Sequence, residues 1–162
     1  MKMYRSMWLI AMLVVSTAFV ACSKDDGGPK FEYDTPYPES YNCSYYEGEV
    51  YIRNISFVIV NPTKETVYWI EFDLDIYLKD EIVASEKCRI GSLADKTDFV
   101  VPAKKKIESD KYYIPNMKVK FFLEEDIYSI GFSNVRYRTL EGDQIETSAQ
   151  SMGMKGVVSI LP

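Results

Sequence analysis

The chain has 162 residues, with 24 acidic against 19 basic side chains, no histidine, and a net charge of −5. The lack of imidazole excludes Ser-His-Asp and Cys-His catalysis and the usual histidine-ligated metals, while the acidic balance argues against nucleic acid, whose binding rests on basic patches. The length suits one domain built around a single core.

The chain opens with Lys2 and Arg5, runs through the apolar stretch from Met7 to Val20, and reaches Ala21 directly before Cys22. This is the layout of a secretory signal over residues 1–21; the run falls short of the about 20 apolar residues a spanning helix needs. Phe19-Val20-Ala21-Cys22 resembles the lipobox of bacterial lipoproteins, with Phe19 where leucine is usual. That resemblance implies cleavage before Cys22 and lipidation of its thiol, each buried CH₂ contributing about 0.8 kcal/mol of membrane attachment. The next residues, Ser23, Lys24, Asp25 and Asp26, resemble the acidic surface-export signal of Bacteroidetes lipoproteins, with Gly27 where a further acid often stands. The resemblance implies a lipid anchor in the outer membrane and a chain facing the cell exterior. The alternatives are the periplasmic face, or a plain solvated spacer after Cys22. Without residues 1–21 the chain keeps 24 acids and 17 bases, a net charge near −7.

Residues 22–46 contain Gly27-Gly28-Pro29, Pro36 and Pro38 without sustained periodicity and read as a flexible tether, its tyrosine-rich distal half packing along the domain. A single domain is expected over 47–162. Val50 and Ile52 share one phase and Ile55, Phe57 and Ile59 the other, which places a bulge or break at Arg53-Asn54. Asn61-Pro62-Thr63 ends that strand, since proline cannot donate to the ladder. The clearest signal follows: Ile70, Phe72, Leu74, Ile76 and Leu78 alternate with Glu71, Asp73, Asp75, Tyr77 and Lys79, a strand with one buried and one wet face. Lys79-Asp80-Glu81 turns the chain into a hairpin partner over Ile82 to Cys88. Lys104-Lys105-Lys106 reads as a solvated loop.

Further strands are expected over Phe99 to Val101, Ile107 to Ile114, Val119 to Leu123, Ile130 to Tyr137, Gln144 to Ser148 and Val157 to Leu161. A turn is expected at Glu141-Gly142-Asp143. No helical period persists; Glu124-Glu125-Asp126 begins one turn at most. The expected fold class is all-β, a sandwich of about 7 to 9 strands. The stretch from Val50 to Val101 resembles the immunoglobulin-like modules of bacterial lipoproteins, including the FxLYD type, which implies an antiparallel immunoglobulin-like sandwich. A shared fold assigns no function.

For chemistry, Asp73 and Asp75 share a strand face with Glu71, and paired carboxylates serve glycosidases. A row on the wet face of an amphipathic strand is also what burial alone produces, so no catalytic residue, metal or cofactor is assigned. Cys43 and Cys88 leave a disulfide open in an oxidising compartment, and without histidine they make no zinc motif. Tyr51, Tyr68, Tyr77, Tyr112, Tyr113, Tyr128 and Tyr137 suit strands by propensity, with stacking on sugar or protein as the functional alternative. The run Lys155-Gly156-Val157-Val158-Ser159-Ile160-Leu161-Pro162 reads as the closing strand, or as one that pairs with another molecule's sheet edge. The functional expectation is a non-enzymatic binding or scaffolding module for glycan or protein, held at the membrane by its lipid. An assembly subunit using its C-terminal strand is the alternative, and a carboxylate hydrolase comes third.

Overall fold

The alternation centred on Phe72 becomes a twelve-residue, largely buried strand. In the computed structural model, residues 29–91, 99–118, 128–140, 142 and 144–162 are described. Their strands are β1 (Tyr37–Tyr46), β2 (Tyr51–Asn61), β3 (Val67–Leu78), β4 (Glu81–Gly91), β5 (Lys105–Glu108), β6 (Tyr112–Lys118), β7 (Tyr128–Thr139), β8 (Ile145–Glu146) and β9 (Lys155–Leu161). One sheet runs β5-β2-β1-β9 with β6 also on β2; the other runs β4-β3-β7-β8. The compact unit they form spans Phe31–Pro162. The signal expected over residues 1–21, the expected lipid site Cys22, the expected export residues Ser23, Lys24, Asp25 and Asp26, the strand expected over Val119 to Leu123, and Glu124-Glu125-Asp126 lie outside the described residues. Among the described residues no helix is long and apolar enough to cross a membrane.

The two sheets face each other across one core. Ile52, Ile55, Phe57 and Ile59 of β2 pack in the same cluster as Ile70, Phe72, Leu74 and Ile76 of β3, all fully buried. Each such side chain contributes about 1.5 to 3 kcal/mol on burial, which outweighs the weak strand propensity of the intervening acids. The all-β sandwich is therefore as expected, with one departure from antiparallel order: β9 runs parallel to β1, from Ser40↔Lys155 to Tyr46↔Leu161, without a register shift.

The tether expected over 22–46 ends before Tyr37, because Tyr37–Tyr46 is β1, an interior strand of its sheet. Its buried residues are Tyr37, Pro38 and Cys43. Strand signals look for Val and Ile, and here burial falls on a phenol, a proline ring and a thiol. Bulges interrupt the β1–β2 pairing at two places. Pro38 pairs with Ile59 and Ser40 with Val58, leaving Glu39 as the extra residue. At the second place Asn42 pairs with Ser56 and Ser44 with Arg53, and Asn54 takes φ 50°. The phase slip read at Arg53-Asn54 is that bulge, where asparagine tolerates the left-handed conformation better than most residues.

Asn61 closes β2 as expected, its side-chain amide donating to the Glu65 and Val101 carbonyls at 2.7 and 2.8 Å. Lys79 takes φ 57° in the β3–β4 turn. The single strand expected over Ile107 to Ile114 is two, β5 and β6, separated at Ser109–Lys111. The loop expected for the three lysines is half right: Lys104 turns with φ 58°, while Lys105 and Lys106 begin β5 and pair with Asn61 and Val60.

Candidate functional site

The acid row on β3 faces away from the core, yet it is not wet. Glu71 is 2% exposed and Asp75 is 1% exposed. The β-pleat puts residues of β4 and β7 on either side of them, and those residues are their counter-groups. Arg89 Nε donates to Glu71 Oε2 at 2.8 Å, Lys87 Nζ reaches Oε1 at 3.4 Å, and Arg136 Nη1 reaches Oε1 at 3.5 Å from the opposite strand. Arg136 also pairs with Glu146 of β8 at 3.0 Å. Burial pushes the Glu71 carboxyl up, but the Arg89 hydrogen bonds and the Lys87 charge outweigh it and hold the group below the usual carboxylate range.

Asp75 is satisfied by neutral donors: Ser85 Oγ at 2.6 Å, Ser133 Oγ at 2.5 Å and Tyr77 Oη at 3.4 Å. Asp73 accepts from Asn134 Nδ2 at 2.7 Å and pairs with Lys87 at 3.4 Å. Asn134 reaches it because a register shift between Glu71 and Asp73 in the β3–β7 pair coincides with φ 51° at Asn134. Glu71, its carboxyl held below the usual range and enclosed by cations, makes a poor proton donor near neutral pH. The carboxylates of this face are engaged in cross-strand pairs.

Trp69, next in the row, is buried beneath the Arg89 guanidinium, 5.6 Å from its ring, and its Nε1 has no hydrogen-bond acceptor. Of the tyrosines singled out, Tyr77 and Tyr137 are buried and Tyr51 is exposed. Tyr37, not among them, stacks on Phe132 of the opposite sheet with centroids 6.5 Å apart, and Tyr33 meets both rings edge to face.

A concavity lies beside these rings. A cleft of about 620 Å³ is lined by Phe132, Met154 and Pro38 on its apolar side and by Ser40, Glu39 and Lys106 on its polar side, with Lys155 and Glu32 also contributing. The Glu39 bulge turns that side chain toward β5, where Lys106 Nζ pairs with its Oε2 at 2.9 Å. Proline cannot donate to the ladder, so Pro38 favours an irregularity at this point. The far wall is the segment 151–154, which runs along β7: Phe132 and Ser151 exchange both backbone bonds at 2.9 Å, and Met154 N–H donates to the Ile130 carbonyl at 2.6 Å. A second hollow of about 320 Å³, lined by Tyr33, Asp34, Thr35, Ser148 and Ala149, shares Glu32 with the first. No pattern in the sequence marked the cleft, because its residues run from Glu32 to Lys155 along the chain and are brought together only by the fold.

Cys43 and Cys88 are both buried and are not bridged to each other. Cys43 lies on β1 and Cys88 on β4, in different sheets. Burial pushes the Cys43 thiol up to about 12. Burial likewise raises the neighbouring Tyr41 phenol to about 12, with a contribution from Cys43. Among the described residues no group of three or more Cys, Asp or Glu is placed to hold a metal ion. No protein-family model matches the chain, and no curated protein matches its sequence.

Proposed function

We propose that this chain is a lipid-anchored outer-membrane module, facing the cell exterior, that binds a glycan in its side cleft without turning it over. The address rests on Phe19-Val20-Ala21-Cys22 and on Ser23 to Asp26. With the compact unit starting at Phe31, the residues from Cys22 to Lys30 allow a reach of at most about 30 Å at about 3.3 Å each.

The observation that carries the binding reading is the lining of the cleft. Small-ligand sites are clefts of about 300 to 1,000 Å³ in which a few polar groups orient a ligand against an apolar wall. Phe132 and Met154 supply that wall, and Ser40 with the Glu39–Lys106 pair supplies donors and acceptors for hydroxyl groups.

Two measurements test the two halves. Intact mass of the mature chain should show an N-terminal lipidated Cys22; an unmodified chain beginning at Met1 refutes the address. Titration against a panel of neutral and acidic oligosaccharides should show saturable binding that Gly153→Trp abolishes. Gly153 lines the cleft, and a Cβ added there meets nothing within 4 Å, so the backbone at this position accepts a side chain. Binding that survives this variant, or no binding to any member, refutes the cleft.

A further inference from the structure

Among the described residues strand β9 stands at the end of its sheet, and its outer edge lacks the usual defences. Native proteins protect edge strands with charges, prolines, bulges or short length. The end strands β4 and β5 follow that rule, with Glu81, Glu86, Lys87 and Arg89 on one and Lys105, Lys106 and Glu108 on the other, while β8 has two residues. In contrast, β9 runs seven residues in unbroken register, and its only charge is Lys155 at the first position. Val157 is 60% exposed and Ile160 is 59% exposed, and they lie on opposite faces of the strand.

The direction of the backbone groups follows from the pairing. In a parallel ladder, a strand bonds a given neighbour through alternate residues. The Leu161 carbonyl accepts from Glu47 N–H at 2.9 Å, so Val157, Ser159 and Leu161 are the phase that bonds β1. Gly156, Val158 and Ile160 therefore turn both N–H and C=O to the open side.

We propose that this edge pairs with β9 of a second copy, antiparallel about a two-fold axis at Val158. Val158 is the central residue of the strand and of its outward phase, so an axis there gives the longest overlap within Lys155–Leu161. The side chains are self-complementary in that register. Gly156, which has no side chain, opposes Ile160, whose bulk then sits over the Tyr41 ring that already fills the space where a Gly156 Cβ would lie. Val157 opposes Ser159, Lys155 opposes Leu161, and no like charges meet. The pairing exchanges about six backbone hydrogen bonds and joins two sheets into one. It is independent of the cleft and of the lipid.

The test is sedimentation of the full chain, extracted in a mild detergent, across a range of concentrations. The expected result is a dimer whose dissociation constant rises at least tenfold in Ile160→Lys and again in Ile160→Pro. The lysine puts a charge in place of the apolar side chain that opposes the partner's Gly156; the proline removes an N–H that β1 does not use. Thermal unfolding followed by circular dichroism should remain cooperative in both, because Ile160 is exposed and spends no hydrogen bond within its own sheet. A wild-type chain that stays monomeric overturns the proposal, as does a dimer unchanged in either folded variant or an open ladder of larger assemblies.

Discussion

Phe57 of β2 and Phe72 of β3 meet edge to face across the interior, their ring centroids 5.0 Å apart at an interplanar angle of 89°. Both are fully buried, and the contact ties the centre of one sheet to the centre of the other. Phe72→Ala should destabilise the fold by about 3 to 5 kcal/mol through lost burial and the cavity left behind. Urea unfolding followed by circular dichroism measures this. A loss below about 1 kcal/mol would mean that the sheets are held together elsewhere.

The Glu71 network should give stability a one-sided dependence on pH. Its carboxyl titrates lower in the folded chain than in the unfolded one. The stabilisation is then complete above the ordinary glutamate value of about 4.3 and is lost as pH falls through the lower folded value. Glu71→Gln removes this dependence and costs about 1 to 3 kcal/mol at neutral pH, because Arg89 and Lys87 are half exposed and find water. Paired unfolding curves at neutral and acid pH should differ less in the variant than in the parent.

How far the sequence shows these features depends on what makes each of them. The alternation from Ile70 to Ile76 is explicit because a single property, side-chain hydrophobicity, decides which face is inside. The bulge at Asn54 is visible for the same reason, since it flips the phase of that property between Ile52 and Ile55. Strand β1 is hidden because Tyr37, Tyr41, Cys43 and Tyr45 face inward in a stretch opened by Pro36 and Pro38, and neither residue class announces burial. The pairing of Glu71 with Arg89 and Arg136 is equally hidden. It depends on the register of β3 against two neighbours, and local alternation carries no information about register. What looks like a wet acidic face in one dimension is a covered one in three.

Cys43 should resist alkylation. A thiol raised to about 12 holds almost no thiolate near neutral pH, and the thiolate is the reactive species. Peptide mapping after treatment of the native chain with iodoacetamide should find Cys43 unmodified, and the same treatment in urea should label it fully. Labelling at equal rates in both conditions would show that the β1–β9 region opens readily.

Gly131 should not accept a side chain. It pairs with Asp75, and a Cβ at this position would fall on the Ser151 carbonyl oxygen and press on the Tyr77 ring. Gly131→Ala should cost about 1 to 3 kcal/mol and loosen the segment that walls the cleft. Hydrogen exchange at the Ser151 and Met154 amides reports this directly: both should exchange faster in the variant, while the amides of β3 keep their protection.

The parallel partnership of β1 and β9 also sets a timetable. β1 gains its neighbour β2 from the next stretch of chain, across a short turn at Glu47–Val50, but its other neighbour is more than a hundred residues downstream, from Ser40 to Lys155. Contacts of such separation form slowly, because the chain entropy of closing the loop is lost before the contacts return anything. During synthesis β1 therefore waits with one side bare until residues 155–161 emerge. The first sheet is completed late, and a polypeptide arrested before Lys155 keeps an unfinished, adhesive edge.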